Sequence, residues 1–426
     1  MSEFVKYKSE VWFMPRVILH CDMNNFFASV ECLLNPSLYG KRVAVCGSQE
    51  DRHGIVLAKN ESAKALGVKT GDTIWQARNK CPDLVVVPPQ FHHYIYYSRL
   101  AREIYKRYTD LVEPFGLDEC WLDVTGSTRL FGSGKQIADE LRQTVKDELG
   151  LTISVGVSFN KVFAKLGSDL KKPDATTVIS EENFKEMIYD LPASDMIGIG
   201  SATRRNLSRI GVDTIGELAA LPLETLKIRM GKHGESLWYF ANGLDSSKVL
   251  PQDCDMPIKS IGKGITAVRD LENGAEVHAV MLSLSLEVAR KLRASGLLAS
   301  SVQIAVRDNK LKTREFQCPL PFETANAAML EKYAYELFCR KYGWENAVRS
   351  VTVRAIKLVP DDIARQLGID TDIGRIERRE RLDRIADDIT RRYGKNSIRP
   401  LSLIGDIHIP KIRPDGASLP GFNIKG

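Results

Sequence analysis

Residues 17–31, VILHCDMNNFFASVE, decide how the rest of the chain is read. An apolar run carries a strand into Asp22, and Phe27, Val30 and Leu34 then recur at helical spacing. A carboxylate at the end of a buried strand is costly unless a cation or a proton satisfies it. A second such place is the pair Asp118–Glu119, inside EPFGLDECWLDVT at 113–125. Three converging carboxylates would take a divalent cation such as Mg²⁺, which prefers hard oxygen ligands and completes its shell with substrate phosphates. The pattern points to phosphoryl or nucleotidyl transfer.

Working outward, strands are expected at 42–47 and 55–59, helices at 60–66 and 73–80, and a long periodic helix from Phe91. A hairpin around Asp118–Glu119 follows, then a helix over 134–149, the strand LTISVGVS at 151–158 and the helix NKVFAKLGSDL at 160–170. This is β-α-β-β-α-β with an insertion after the first helix, the ferredoxin-like arrangement. In its sheet Asp22 and the Asp118–Glu119 pair would lie on neighbouring strands. Adjacent residues of a regular strand point to opposite faces. Asp118 and Glu119 therefore share a site only if the backbone is irregular there, and the Pro114-Phe115-Gly116 turn offers that.

At 426 residues the chain can hold several domains, and its 43% apolar and 27% charged composition is globular. No apolar run approaches the roughly 20 residues that span a bilayer. The opening 1–14, MSEFVKYKSEVWFM, is too charged for a signal peptide and reads as an extension, with Met14 as an alternative start. The eight cysteines lack C-x-x-C spacing, which suits a reducing cytoplasm rather than a disulfide framework or zinc site. Net charge is +6, and residues 258–360 alone hold 16 Lys and Arg against 10 Asp and Glu. A basic face for a polyanion and an ordinary solvated surface both fit that excess.

Four motifs in this order and spacing, CDMNNFFASVE, GLDECWLDVT, GVSFNKVFAKLGSDLKKP and IGIGSATRRNLSRIGV, closely resemble the Y-family of translesion DNA polymerases over roughly residues 15–360. The resemblance implies an α+β multidomain, right-hand polymerase. Its parts would be a ferredoxin-like palm (15–33 and 92–180), small fingers (34–91) and an all-helical thumb with a helix-hairpin-helix (181–245). A linker (246–257), an α+β little finger (258–360) and a C-terminal tail (361–426) would follow. It further implies low-fidelity synthesis past damaged bases without proofreading, on primer-template DNA with dNTP, by a monomer.

Carried over by motif, Asp22 and Asp118 would hold two Mg²⁺ ions with the Met23 carbonyl, and Glu119 would serve the ion beside the primer 3′-OH. Phe27 takes the steric-gate position under the nucleotide sugar, with Phe26 beside it; either ring could instead be core. Lys172, or its neighbour Lys171, would hold triphosphate, and Asp169 would orient that lysine. Glu61 and Lys64 stand where many members carry Tyr and Arg. Lys64 can still reach phosphate without the bidentate fork of Arg, and Glu61 is expected to face an amine or solvent.

In IGIGSATRRNLSRIGV, Gly198 and Gly200 permit a tight turn whose amides could hold a DNA phosphate, with Arg204, Arg205 and Arg209 nearby. In SVQIAVRDNKLKTREF, Asp308-Asn309 suggests a hairpin whose returning strand would carry Lys310, Lys312 and Arg314 on one face. Gln366 heads a fragment, QLGID, resembling peptides that dock the replicative sliding clamp. Two other classes compete. A nucleotidyl cyclase on a related palm would not need the duplex-gripping parts. An inactive repair scaffold would lack the three carboxylates.

Overall fold

In the computed structural model, which describes residues 15–50, 52, 54–251, 257–364, 372–394 and 397–404, the apolar run forms β1 (Ile18–Met23), buried at every position. Asn25, with a left-handed φ of 51°, turns it into α1 (Phe26–Leu34). The insertion folds as β2 (Val43–Cys46), β3 (Val56–Lys59), α2 (Glu61–Ala65), α3 (Ile74–Lys80) and β4 (Val85–Val87). Its sheet has the order β3-β2-β4. The short β4 was not expected; three residues carry too little pattern to separate a strand from a loop, and it forms by pairing parallel to β2.

Next come α4 (Phe91–Tyr105), β5 (Val112–Pro114), β6 (Glu119–Asp123), α5 (Thr128–Phe131), α6 (Gly134–Leu149), β7 (Ile153–Ser158), α7 (Lys161–Leu170) and β8 (Thr176–Ile179). These complete a sheet of order β5-β6-β1-β7-β8. Its first four strands have the split βαβ order expected from the sequence. The fifth, β8, was not expected and adds parallel to β7.

One close approach places the site. Gly156 of β7 sits under α7 so tightly that a Cβ there would lie 1.9 Å from the Ala164 carbonyl oxygen, and Gly167 of α7 faces Gly156 in turn. Only glycine lets the helix lie this low. On the far side, α6 starts with a Ser133/Gln136 capping box and ends at Gly150, whose φ is 66°.

Residues 181–245 are helical, with α8 (Phe184–Ile188), α9 (Ser201–Ser208), α10 (Ile215–Ala220) and α11 (Leu223–Ala241) around an apolar core that they share with Val162, Phe163 and Leu166 of α7 and Ile179 of β8. Gly231, with φ 61°, kinks α11. Among the described residues no helix is long and apolar enough to cross a membrane.

The described residues fall into two compact units, 15–46 with 56–251 and 47–55 with 257–404. The second unit contains β9 (Ser260–Leu271), α12 (Gly274–Ala294), β10 (Leu297–Asp308), β11 (Thr313–Thr324), α13 (Ala327–Lys341) and β12 (Val348–Pro360). The antiparallel sheet runs β11-β10-β12-β9, and α12 and α13 bury one of its faces. A last helix, α14 (Ile373–Tyr393), buries none of its residues. Arg293 of α12 tethers it, reaching Asp387 at 2.6 Å and Asp383 at 3.2 Å.

Candidate active site

The carboxylates meet. Asp22 on β1 pairs in register with Glu119, the first residue of β6. Asp118 lies just before the strand, in the bend that follows Gly116 (φ 112°), and its carbonyl accepts from the Met23 amide at 3.0 Å. The bend is the irregular backbone that lets adjacent acids face one cleft.

That cleft has a volume of about 330 Å³, and Asp22, Met23, Asp118 and Glu119 line it together with Phe27, Lys64, Lys165 and Lys172. Asp22 is 5% exposed. Burial, then the nearby Asp22 and Glu119 charges, push the Asp118 carboxyl up to about 7. Glu119 goes the other way. Burial alone would raise it, but its contact with His20 and the Lys165 ammonium outweigh that and hold it at about 2. Like charges pressed together in a partly buried cleft call for cationic compensation.

Two lysines supply part of it. Lys165 Nζ lies 2.9 Å from Glu119 and 3.3 Å from both Asp22 and Asp169. Lys172 Nζ lies 2.8 Å from Asp22 and 2.9 Å from Asp169. The carboxylates raise the Lys165 ammonium above its ordinary range despite burial. Asp169 therefore pairs with Lys172, and Lys172, not Lys171, lines the cleft.

Sequence reasoning missed Lys165, although it sits inside a quoted motif four residues from Asp169 on α7; only the glycine-close packing of α7 brings it to the acids. It also missed His20. This residue is wholly buried, hydrogen-bonded through Nδ1 to Ser168 Oγ at 2.8 Å, with Nε2 3.3 Å from Glu119 Oε2. That close approach lacks hydrogen-bond alignment. Ligand atoms of His20, Asp22 and Glu119 fall within 4.8 Å of one another. Hard, partly unaligned carboxylate oxygens of this kind fit a divalent cation.

Phe26 and Phe27 both line the cleft; Phe26 is 3% exposed and packs into the core, whereas Phe27 is half-buried. Glu61 faces neighbouring nitrogens as expected: Asn25 Nδ2 donates to it at 3.0 Å and Lys64 Nζ lies 3.3 Å away. Lys64 also lines the cleft.

Elsewhere the geometry departs from the sequence reading. The segment before α9 is one 3₁₀ turn, Ala193–Asp195, not a full first helix of a helix-hairpin-helix. Gly198 needs its freedom at φ 90°, but Gly200 is extended at φ −81° and ψ 179° and caps α9. Gly198, Gly200, Arg204, Arg205 and Arg209 are all exposed.

The basic hairpin face also needs correction. β11 begins at Thr313, so Lys310 and Lys312 stand in the turn. Arg314 has the parity of Phe316 and Cys318, which pack toward the core, and pairs with Glu345 at 2.5 Å. The turn is longer than two residues, so the alternation of β11 starts only at Thr313. The open face instead carries Arg307 and Arg354, with Arg354 donating to Gln303 at 2.8 Å beside the small residues Gly262 and Gly264. The clamp-like fragment at Gln366 lies outside the described residues, as do residues 252–256 of the linker.

Comparisons place this geometry among known proteins. Residues 21–169 match the impB/mucB/samB family and 258–369 match that family's C-terminal domain. A protein of Acetivibrio thermocellus named DNA polymerase IV is 50% identical over 399 residues, covering 94% of this chain and all of that protein. One of the same name from Moorella thermoacetica is 40% identical, covering 91% of this chain and 96% of its own length. A solved Y-family DNA polymerase chimera superposes with a TM-score of 0.71 over 81% of this chain and 99% of its own, at 24% identity. By sequence over most of its length, and by fold, this chain belongs to the Y-family of DNA polymerases, the impB/mucB/samB family.

Proposed function

We propose that this chain copies a DNA template past damaged bases, joining deoxynucleotides from dNTP to a primer 3′-OH without proofreading. The observation that carries this reading is the meeting of Asp22, Asp118 and Glu119 in one cleft with Phe27 and Lys172 on its walls. Asp22, Asp118 and the Met23 carbonyl would hold two Mg²⁺ ions, and Glu119 would complete the site beside the primer end. Such a pair supplies charge stabilisation for the attacking and leaving oxygens of an in-line displacement.

The protein's own groups do the rest. Lys172 and Lys64 offset phosphate charge at the triphosphate, and Asp169 holds Lys172 in place. Phe27 occupies the space a 2′-hydroxyl would need. Gly198, Gly200 and Arg204 would contact backbone phosphate without reading bases, and Lys310 and Lys312, in the turn before β11, would add charge near the duplex. Residues 15–33 with 92–180, 34–91, 181–245 and 258–360 would act as palm, fingers, thumb and little finger of a cytoplasmic monomer. The peptide at 365–370 would meet the sliding clamp.

The inactive-scaffold alternative has no support, because all three carboxylates are present and gathered. Primer extension by the unmodified protein, with Asp118→Ala and Glu119→Ala as controls, tests the reading. Failure of the unmodified protein to extend a primer with Mg²⁺ and dNTP would overturn it.

A further inference from the structure

Glu31 is a buried carboxyl group outside the acid cluster. It is 4% exposed in the middle of α1, where an unsatisfied carboxylate would be strongly unfavourable. Its oxygens are taken by two groups at the start of α4. The Tyr94 hydroxyl donates to Oε1, and Gln90 Nε2 donates to Oε2 at 2.9 Å. The Gln90 amide in turn donates to the Tyr94 hydroxyl at 3.0 Å. Burial and the Glu31 bond push the Tyr94 phenol far above its ordinary range, so it stays a donor.

This network reaches the cleft. Glu31 follows Phe27 by four residues on α1, so both side chains lie on one face of the helix. Tyr94 spans them. Its hydroxyl meets Glu31, and its ring stacks on Phe27 with centroids 4.1 Å apart and planes 9° from parallel. Phe91 closes the side edge-on, 6.0 Å from Phe27 and 5.7 Å from Tyr94. The face of Phe27 away from the cleft is thus backed by a ring that is itself wholly buried and pinned at its far end.

We propose that Glu31 is a positioning residue for sugar selection, holding the Tyr94 phenol so that its ring braces Phe27 and the gate cannot recede before a 2′-hydroxyl. The inference rests on Phe27 being the ring under the nucleotide sugar. A gate selects by not moving; an aromatic ring on a half-buried side chain could otherwise rotate by a fraction of an ångström and admit the extra oxygen. Steric discrimination of one small group is worth about 10- to 200-fold, and a loosened wall gives up that margin first.

The test is the ratio of kcat/KM for a ribonucleotide to that for the matching deoxynucleotide on undamaged template, with thermal unfolding of each variant. Phe27→Ala should raise the ratio most, which reports on the gate itself. Tyr94→Phe keeps the ring and loses the hydroxyl, and Glu31→Leu fills the space and loses the acceptor. Each should raise the ratio about tenfold while deoxynucleotide incorporation stays within a few-fold of wild type. Glu31→Gln, whose amide oxygen can still accept from Tyr94, should stay near the wild-type ratio. If Phe27→Ala leaves the ratio unchanged, the gate reading itself is wrong. If Phe27→Ala raises it while Tyr94→Phe and Glu31→Leu match wild type, the gate stands and the Glu31 brace is refuted. Equal loss with both sugars would make Glu31 merely structural and would also refute the brace.

Discussion

The five-stranded sheet around β1 and the four-stranded sheet around β10 are both helix-backed, yet they spend their charge differently. In the first, three acids and two lysines crowd the end of two central strands, where burial strengthens every interaction; burial and like charge raise Asp118, while His20 and Lys165 hold Glu119 down. In the second, Arg307 and Arg354 sit on an open face beside small residues, screened by solvent. Concentrated charge suits chemistry at a point; spread charge suits adhesion along a polyanion. The two sheets should therefore fail differently when their charges are removed.

The largest effect belongs to the first sheet. Glu119→Gln keeps shape and removes the charge, and should slow primer extension at saturating DNA and dNTP by about 10²- to 10³-fold. DNA affinity should hardly change. A loss of affinity equal to the loss of rate would show that the two sheets share one task. Gly156→Ala attacks the same site through packing. The new Cβ would meet the Ala164 carbonyl oxygen and lift α7, costing about 3 kcal/mol of stability in denaturant unfolding. Wild-type stability in that variant would mean that α7 need not lie so low to bring Lys165 to the acids.

On the second sheet, Arg354→Ala and Arg307→Ala should each weaken duplex binding and reduce the salt slope of affinity by about 1, with extension at saturating DNA intact. Lys310→Ala and Lys312→Ala, on the turn, should matter less. If the turn lysines dominate the salt slope, the open face is not the contact surface.

The same contrast explains what could be read beforehand. The order of the first sheet was legible because β1 and β7 are buried, mostly apolar strands and β6 carries the apolar Cys120-Trp121-Leu122 between its acids. The acids were legible because a charge is conspicuous inside such a run. What escaped depends on packing distance. Lys165 and His20 reach the acids only through the Gly156 contact and strand register. The three-residue β4 carried too little pattern to register. In the second sheet the turn around Asp308–Lys312 is longer than a two-residue hairpin loop, and β11, starting at Thr313, carries Arg314 on the helix-covered side. Period-two reasoning names a face only once the first paired residue is known.

The smallest effect is on pH dependence, and it separates the buried charges from the screened ones. Asp118 has a folded pKa of about 7 against an ordinary 3.8. Between those values the folded chain holds a proton that the unfolded chain has released. Its contribution to stability is therefore full below 3.8 and is lost as pH rises to about 7. Glu119, held at about 2 from an ordinary 4.5, has the opposite sign, and its contribution is complete above 4.5. His20, lowered by burial, also opposes Asp118 below its ordinary 6.5. The clean measurement is thus a difference: without divalent cation, wild-type stability relative to Asp118→Asn should fall from pH 5 to pH 7 and then level off. Mg²⁺ needs the carboxylate ionised, so its stabilising shift in Tm should be greater at pH 8 than at pH 6. Arg354→Ala should show neither trend. A flat difference between wild type and Asp118→Asn would mean that the acids of the first sheet are as well solvated as the arginines of the second, and the contrast between the two sheets would lose its electrostatic basis.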